Sequence, residues 1–182
     1  SSECLNIIYS NQETIPEIII STINLKTKEL KSLIKSLKKY IDPKQILLEN
    51  INALKAAERV LNCLEELEVL CPRRYGYWSV EHIHKTLLGE EFEKGIEKWP
   101  EGTPVICCKN QSNINLSNGD IGIIINGSNT KYLLFRVNSA EKSEGCQIIN
   151  PARVELLKPA YAITIHKAQG SEAKHVMCLW PN

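Results

Sequence analysis

The texture of this 182-residue chain changes at Trp99-Pro100, and that change constrains the fold more than any other feature. Before it, apolar residues recur at helical spacing. After it, short strand-like runs alternate with glycine-containing turns. Residues 104–108, 121–125, 131–137 and 146–149 read as strands, split by Asn118-Gly119-Asp120, Asn126-Gly127 and Glu144-Gly145. Such a run of short strands predicts a small antiparallel barrel or sheet, an all-β insert spanning about 108–157. The helix before it must stop ahead of Trp99-Pro100, because proline disfavours helical geometry in the preceding residue.

Upstream, residues 4–9 and 15–23 are β-branched-rich runs divided by Ser10-Asn11-Gln12-Glu13 and read as two strands. Leu30, Leu33, Ile34, Leu37 and Ile41 then recur at helical spacing, with Lys26, Lys28, Lys31, Lys35, Lys38 and Lys39 on the other side. A solvated helix face explains those lysines more simply than a phosphate-binding patch. Asp42-Pro43 supplies a cap and first-turn proline for a second helix, with a stripe through Ile46, Leu47, Asn50, Leu54, Ala57, Leu61 and Leu64. Val69-Leu70-Cys71 reads as a buried strand ended by Pro72. Ser79 caps a third helix carrying Ile83, Leu87, Leu88, Phe92 and Ile96. Ala160–Ile165 and Val176–Leu179 are further strand-like runs around a polar loop.

Lys plus Arg is 22 and Asp plus Glu is 21, a formal net charge of +1. A strongly basic nucleic-acid coat is excluded, so any contact with a polyanion must be local. No run of about 18 apolar residues is present to span a membrane. The start, Ser1-Ser2-Glu3-Cys4, carries no visible signal peptide, so a cytoplasmic location is expected. The seven cysteines form no Cys-x-x-Cys and no zinc-ligand grouping, and read as reduced, buried small hydrophobes. No metal-ligating set is identified. Glu90-Glu91-Phe92-Glu93 reads as a solvated helix face rather than a nuclease centre.

The stretch richest in chemistry is Tyr161-Ala162-Ile163-Thr164-Ile165-His166-Lys167-Ala168-Gln169-Gly170-Ser171-Glu172. A buried strand ends in hydroxyl, imidazole and ammonium donors, which suit phosphate oxygens. Gly170 permits close backbone approach, and Glu172 offers acceptors for a sugar hydroxyl. Taken alone the pattern is weak, since a histidine after a strand is more often structural.

This stretch resembles motif V of the superfamily 1 helicases, in the form found in the RecD type. Two further segments match in the expected order. Pro104-Val105-Ile106-Cys107-Cys108-Lys109-Asn110, with Leu116-Ser117-Asn118-Gly119-Asp120-Ile121-Gly122, resembles the strand and turn that open the family's barrel insert. Leu70-Cys71-Pro72-Arg73-Arg74-Tyr75-Gly76 resembles motif IV, with Arg74 at the arginine position. The resemblance covers roughly residues 45–180.

It implies an α/β fold: a RecA-like second motor lobe of the P-loop NTPase helicase type, with an inserted all-β Src-homology-3-like barrel. Residues 1–41, which the resemblance does not reach, are expected from their own patterning to form N-terminal strands and a basic helix, and 42–107 the first part of the lobe. Residues 108–157 would be the barrel, and 158–182 the rest of the lobe with motif V. The implied activity is 5′→3′ ATP-dependent DNA unwinding in double-strand break repair, as part of an exodeoxyribonuclease V-like enzyme. Arg74 would reach the γ-phosphate of ATP as a charge clamp. Gln169, Gly170 and Glu172 would flank the nucleotide. Thr164, His166, Lys167 and Asn110 would touch the backbone of single-stranded DNA. The implied partners are that DNA, an N-terminal helicase lobe, and RecB- and RecC-like subunits.

The sequence departs from the family pattern in places. Ala173 stands where an aromatic usually follows the glutamate, and Pro72-Arg73 precede Arg74 where apolar residues are usual. No Gly-x-x-x-x-Gly-Lys-Ser/Thr loop and no acidic magnesium-binding strand is identified. The chain is expected to stop short of motif VI. ATP and Mg2+ are therefore expected to act in the intact subunit and not to bind this chain tightly. The alternative is a non-enzymatic small-barrel module binding a peptide or nucleic acid, with Tyr132 and Phe135 as its only aromatics.

Overall fold

The computed structural model describes residues 13–42, 48, 50–137, 145–170 and 172–180. Its first element, α1 (Glu17–Leu37), buries Ile19, Ile23, Leu30, Ile34 and Leu37 along one stripe. The run 15–23, expected as a strand, is thus mostly helix; residues 4–9 lie outside the described residues. Isoleucine lowers helix propensity by well under about 0.7 kcal/mol, whereas burying its side chain is worth roughly 1.5–3 kcal/mol. Packing of Ile15, Ile19 and Ile23 against Val69, Trp78, Ile83 and Leu179 therefore decides the conformation. Of the six lysines on the opposite side, Lys28, Lys31, Lys35 and Lys39 are exposed. Lys26 pairs with Glu29 and Glu66, and Lys38 with Glu101.

The next helix, α2 (Ile51–Glu65), begins at Asn50, whose side chain accepts the Ala53 N–H at 2.8 Å. Asn50 is therefore its cap rather than a member of its stripe, and Pro43–Leu47 lie outside the described residues. Ala53, Ala57, Val60, Leu61 and Leu64 form the buried face. Then come β1 (Leu67–Cys71) and α3 (Val80–Leu88), the latter capped by Ser79 as expected. Helix α3 ends at Gly89, so Phe92 and Ile96 follow it instead of riding on it. Trp99 Nε1 donates to the Phe92 carbonyl at 3.2 Å and folds that segment back.

The remaining strands are β2 (Pro104–Cys107), β3 (Ile121–Asn126), β4 (Lys131–Arg136), β5 (Cys146–Ile149), β6 (Leu157–Pro159), β7 (Ile163–Thr164) and β8 (His175–Cys178). They form two sheets. The smaller is parallel, in the order β7-β1-β8; the larger is antiparallel, β5-β4-β3-β2-β6. This is a mixed α/β chain consistent with a RecA-like helicase lobe.

No closed barrel forms among the described residues: the larger sheet ends at β5 and β6, which do not pair. Strand β6 is three residues long and finishes on Pro159, which has no N–H to extend a ladder. The sheet is nonetheless covered on both faces. Ile123, Ile125 and Leu134 pack on α1 and α2, while Ile124, Leu133 and Phe135 face Val105, Trp99 and Ile149. Two buried faces explain the unbroken Ile123-Ile124-Ile125 run, since alternation needs one wet face. Phe135 is wholly buried and Tyr132 packs against the helices, so among the described residues the sheet offers no open aromatic groove of the kind a peptide-binding module needs.

Among the described cysteines all six are free thiols; Cys63, Cys71 and Cys107 are buried, whereas Cys108 and Cys146 are half-buried and Cys178 exposed. No described helix is long and apolar enough to cross a membrane.

Candidate nucleic-acid interface

Strands β1 and β7 are parallel neighbours in register, with Leu70 opposite Ile163 and Cys71 opposite Thr164. The chain segments that leave them emerge side by side at the carboxyl end of the sheet, where open parallel sheets bind ligands. After β1 comes Pro72-Arg73-Arg74. The carbonyls of Arg73 and Arg74 accept the Val80 and Glu81 N–H groups at 3.2 and 3.1 Å, which fastens the arginine loop to the start of α3. After β7 the chain makes a 3-10 turn, Ile165–Ala168.

Between them lies a cleft of about 420 Å³ lined by Pro72, Arg73, Arg74, Thr164, His166 and Lys167. Arg73 and Arg74 both line it, and His166, also in its lining, is exposed. An imidazole, an ammonium and a hydroxyl complete the donors, with no carboxylate among the six. Such a set suits the oxygens of a phosphate. A magnesium ion would find only the Thr164 hydroxyl among these side chains, so the cleft does not fit it.

The turn of the larger sheet reaches this site. Lys167 Nζ donates to Asn118 Oδ1. The Asn118 N–H donates to Asn110 Oδ1 at 2.7 Å, and Ser117 N–H to Asp120 Oδ2 at 2.8 Å. The strand into the loop is anchored on both sides. His84 of α3 accepts the Ala162 N–H on Nε2 at 3.2 Å, and the Tyr161 hydroxyl lies 3.1 Å from Thr103 Oγ1. His84 is buried, which pushes its pKa down to about 3, so the ring is neutral. Burial likewise raises the Tyr161 phenol.

The fold thus gathers Arg74, Thr164, His166 and Lys167 and joins Asn110 to them through Asn118. Gln169 and Gly170 are exposed on the same loop but do not line the cleft. Gly170 has φ +88 and open space where a Cβ would stand, so backbone conformation is what requires glycine. Glu172 lines a separate groove of about 320 Å³, shared with Lys26 and Thr27 of α1. Sequence reading missed the roles of Asn118 and His84. Asn118 was visible as a turn residue, but its bond to Lys167 spans 49 positions and leaves no local signal.

One group among the described residues has metal-ligand proximity: Glu29, Cys63 and Glu66. Lys26 Nζ already sits among them, 2.8 Å from Glu29, 2.9 Å from Glu66 and 3.7 Å from Cys63 Sγ. Burial pushes the Cys63 thiol up to about 11, so it is not a thiolate at neutral pH.

A family model of the UvrD-like helicase C-terminal domain matches residues 159–182, the segment that contains β7, its loop and β8. The RecBCD enzyme subunit RecD of Buchnera aphidicola subsp. Acyrthosiphon pisum is 30% identical over 145 residues, covering 74% of this chain and 23% of that protein. The ATP-dependent RecD2 DNA helicase of Deinococcus radiodurans is 28% identical over 142 residues, covering 71% and 19%. A solved structure of Bacteroides Pif1 bound to ssDNA overlaps 91% of this chain and 43% of its own at 18% identity and a TM-score of 0.38, and at that score the likeness says nothing further. The chain spans about a quarter of the length of the curated RecD relatives it matches. Similarity to RecD proteins running through some three quarters of its residues makes this chain a member of the RecD-like superfamily 1 helicases.

Proposed function

We propose that this chain serves as the second motor lobe of a RecD-like, ATP-dependent 5′→3′ DNA helicase subunit acting in double-strand break repair. In this role Thr164, His166 and Lys167 hold backbone phosphates of single-stranded DNA, and Asn110 supports them through Asn118. Arg74, with Arg73 beside it, reaches the γ-phosphate of ATP held by the first lobe. Gln169, Gly170 and Glu172 continue the loop toward the nucleotide's ribose. The five-stranded antiparallel sheet takes the place of the Src-homology-3-like insert and borders the DNA path. RecB- and RecC-like subunits are the assembly partners, in the cytoplasm.

The observation that carries the reading is the cleft itself: five donor side chains and no carboxylate, at the carboxyl end of two parallel strands. Because one cleft takes donors from both loops, a shift of the arginine loop with nucleotide state would alter the grip on DNA. Bound ATP supplies the chemical energy. Arg74 neutralises charge on the terminal phosphate, and the loop residues hold the strand without reading its bases. Magnesium ligands are not assigned to this cleft.

The reading is tested by binding a labelled single-stranded oligomer to the chain across a salt series. His166→Ala and Lys167→Ala should each weaken binding, and each lost phosphate contact should flatten the log–log salt slope by about 0.7. Unchanged affinity and slope in both variants would reject it. In the ATP-hydrolysing subunit, Arg74→Ala should slow single-turnover hydrolysis by about a thousandfold with a smaller loss of nucleotide binding; equal rates would move the role to Arg73.

A further inference from the structure

We infer that the groove adjoining the phosphate cleft is a nucleobase subsite, with the Tyr75 ring as its stacking platform. The inference rests on the reading of the cleft as a DNA-phosphate site and adds to it a contact of different chemistry. The groove has a volume of about 550 Å³, and Arg74, Thr164 and Lys167 line both it and the cleft. Beyond these shared donors the lining changes character. Tyr75, Phe92, Leu157 and Pro159 contribute apolar surface, and Glu81 and Glu93 contribute the carboxylates that the cleft lacks. Both glutamates lie against Lys85, Glu93 at 3.8 Å.

This change of lining separates two kinds of ligand. With carboxylates and an apolar wall the groove suits phosphate less than the donor-lined cleft does, so the polyanionic backbone belongs in the cleft. Flat, uncharged bases suit the mixed apolar wall next to it. Phosphates and bases alternate along a strand, so a backbone held by Thr164, His166 and Lys167 must place bases in adjoining space. Tyr75 follows Arg74 directly, lines the groove and is 65% exposed, so its side chain is available to a base. Lone exposed aromatics are common on protein surfaces; this one borders a groove that shares three donors with a phosphate-type cleft.

The test compares two single strands of equal length, a thymidine oligomer and an abasic strand with the same phosphates. Both are titrated at low salt against the 182-residue chain. Tyr75→Ala should weaken thymidine-oligomer binding about tenfold and abasic binding by less than about twofold. Tyr75→Phe, which keeps the ring, should stay within about twofold of wild type on both strands. An equal loss on both strands, or no loss on either, overturns the subsite. Lys167→Ala tests the underlying reading separately and should weaken both strands alike. A loss confined to Tyr75→Ala on the thymidine strand, with Lys167→Ala inert, would uphold the stacking contact and sink the phosphate cleft. A wild-type chain with no measurable affinity for either strand overturns both.

Discussion

His84 and Asn118 do positional work that no local pattern announces. His84 is 3% exposed, and its acceptor bond to Ala162 requires the neutral ring, in line with a pKa pushed down by burial to about 3. An unfolded histidine titrates near 6.5. Between pH 6.5 and 5 only the unfolded state gains the proton, so stability is fully present above 6.5 and falls as pH falls toward 3. The loss by pH 5 should be about 2 kcal/mol. Denaturant unfolding at pH 7 and pH 5 checks this, with His84→Gln expected to lose less on acidification because it has no titrating ring. Identical pH dependence in the two proteins would mean the ring is solvated. Sequence reading singled out His166 from the four histidines but not His84, because what makes His84 special is a backbone group 78 residues away.

At the scale of elements, β2 to β5 were legible because glycine turns and β-branched runs mark them locally, whereas the three-residue β6 was not. The second half of α1 was legible too, from Leu30, Ile34 and Leu37, but its first turns were not, since they are rich in isoleucine and the four-residue spacing at Ile15, Ile19 and Ile23 competes with a strand-like composition. The length of α3 was overread because Phe92 and Ile96 continue its periodicity past Gly89. Within β3, Gly122 marks the tightest contact: a Cβ there would stand 2.5 Å from the Leu134 carbonyl oxygen and 2.7 Å from the Phe135 ring. Gly122 and Phe135 are paired across β3 and β4, and Phe135 is wholly buried. Gly122→Ala should therefore destabilise the fold by about 1–3 kcal/mol. A urea midpoint unchanged from wild type would show that the ring and strand move aside freely.

For the whole molecule, the candidate cleft depends on how two sheets meet. The parallel sheet supplies the arginine loop and the loop after β7. The antiparallel sheet reaches in through Asn118 and braces Lys167. This arrangement supplies donors for phosphate but neither a glycine-rich phosphate loop nor a carboxylate in the cleft. The 182-residue chain is accordingly expected to show no DNA-stimulated ATP hydrolysis, measured as phosphate release with and without single-stranded DNA; robust turnover would require a nucleotide site built differently. The residue order alone determined where β2 to β5 and their turns fall, which loops carry donors, and the helicase family, because these depend on neighbours along the chain. Tertiary structure alone decided that residues 17–23 are helical, that the antiparallel sheet is not closed among the described residues, that Glu172 lies outside the cleft and that Asn118 holds Lys167. Each of those outcomes turns on burial or hydrogen bonding between segments far apart in sequence, where spacing along the chain carries no information.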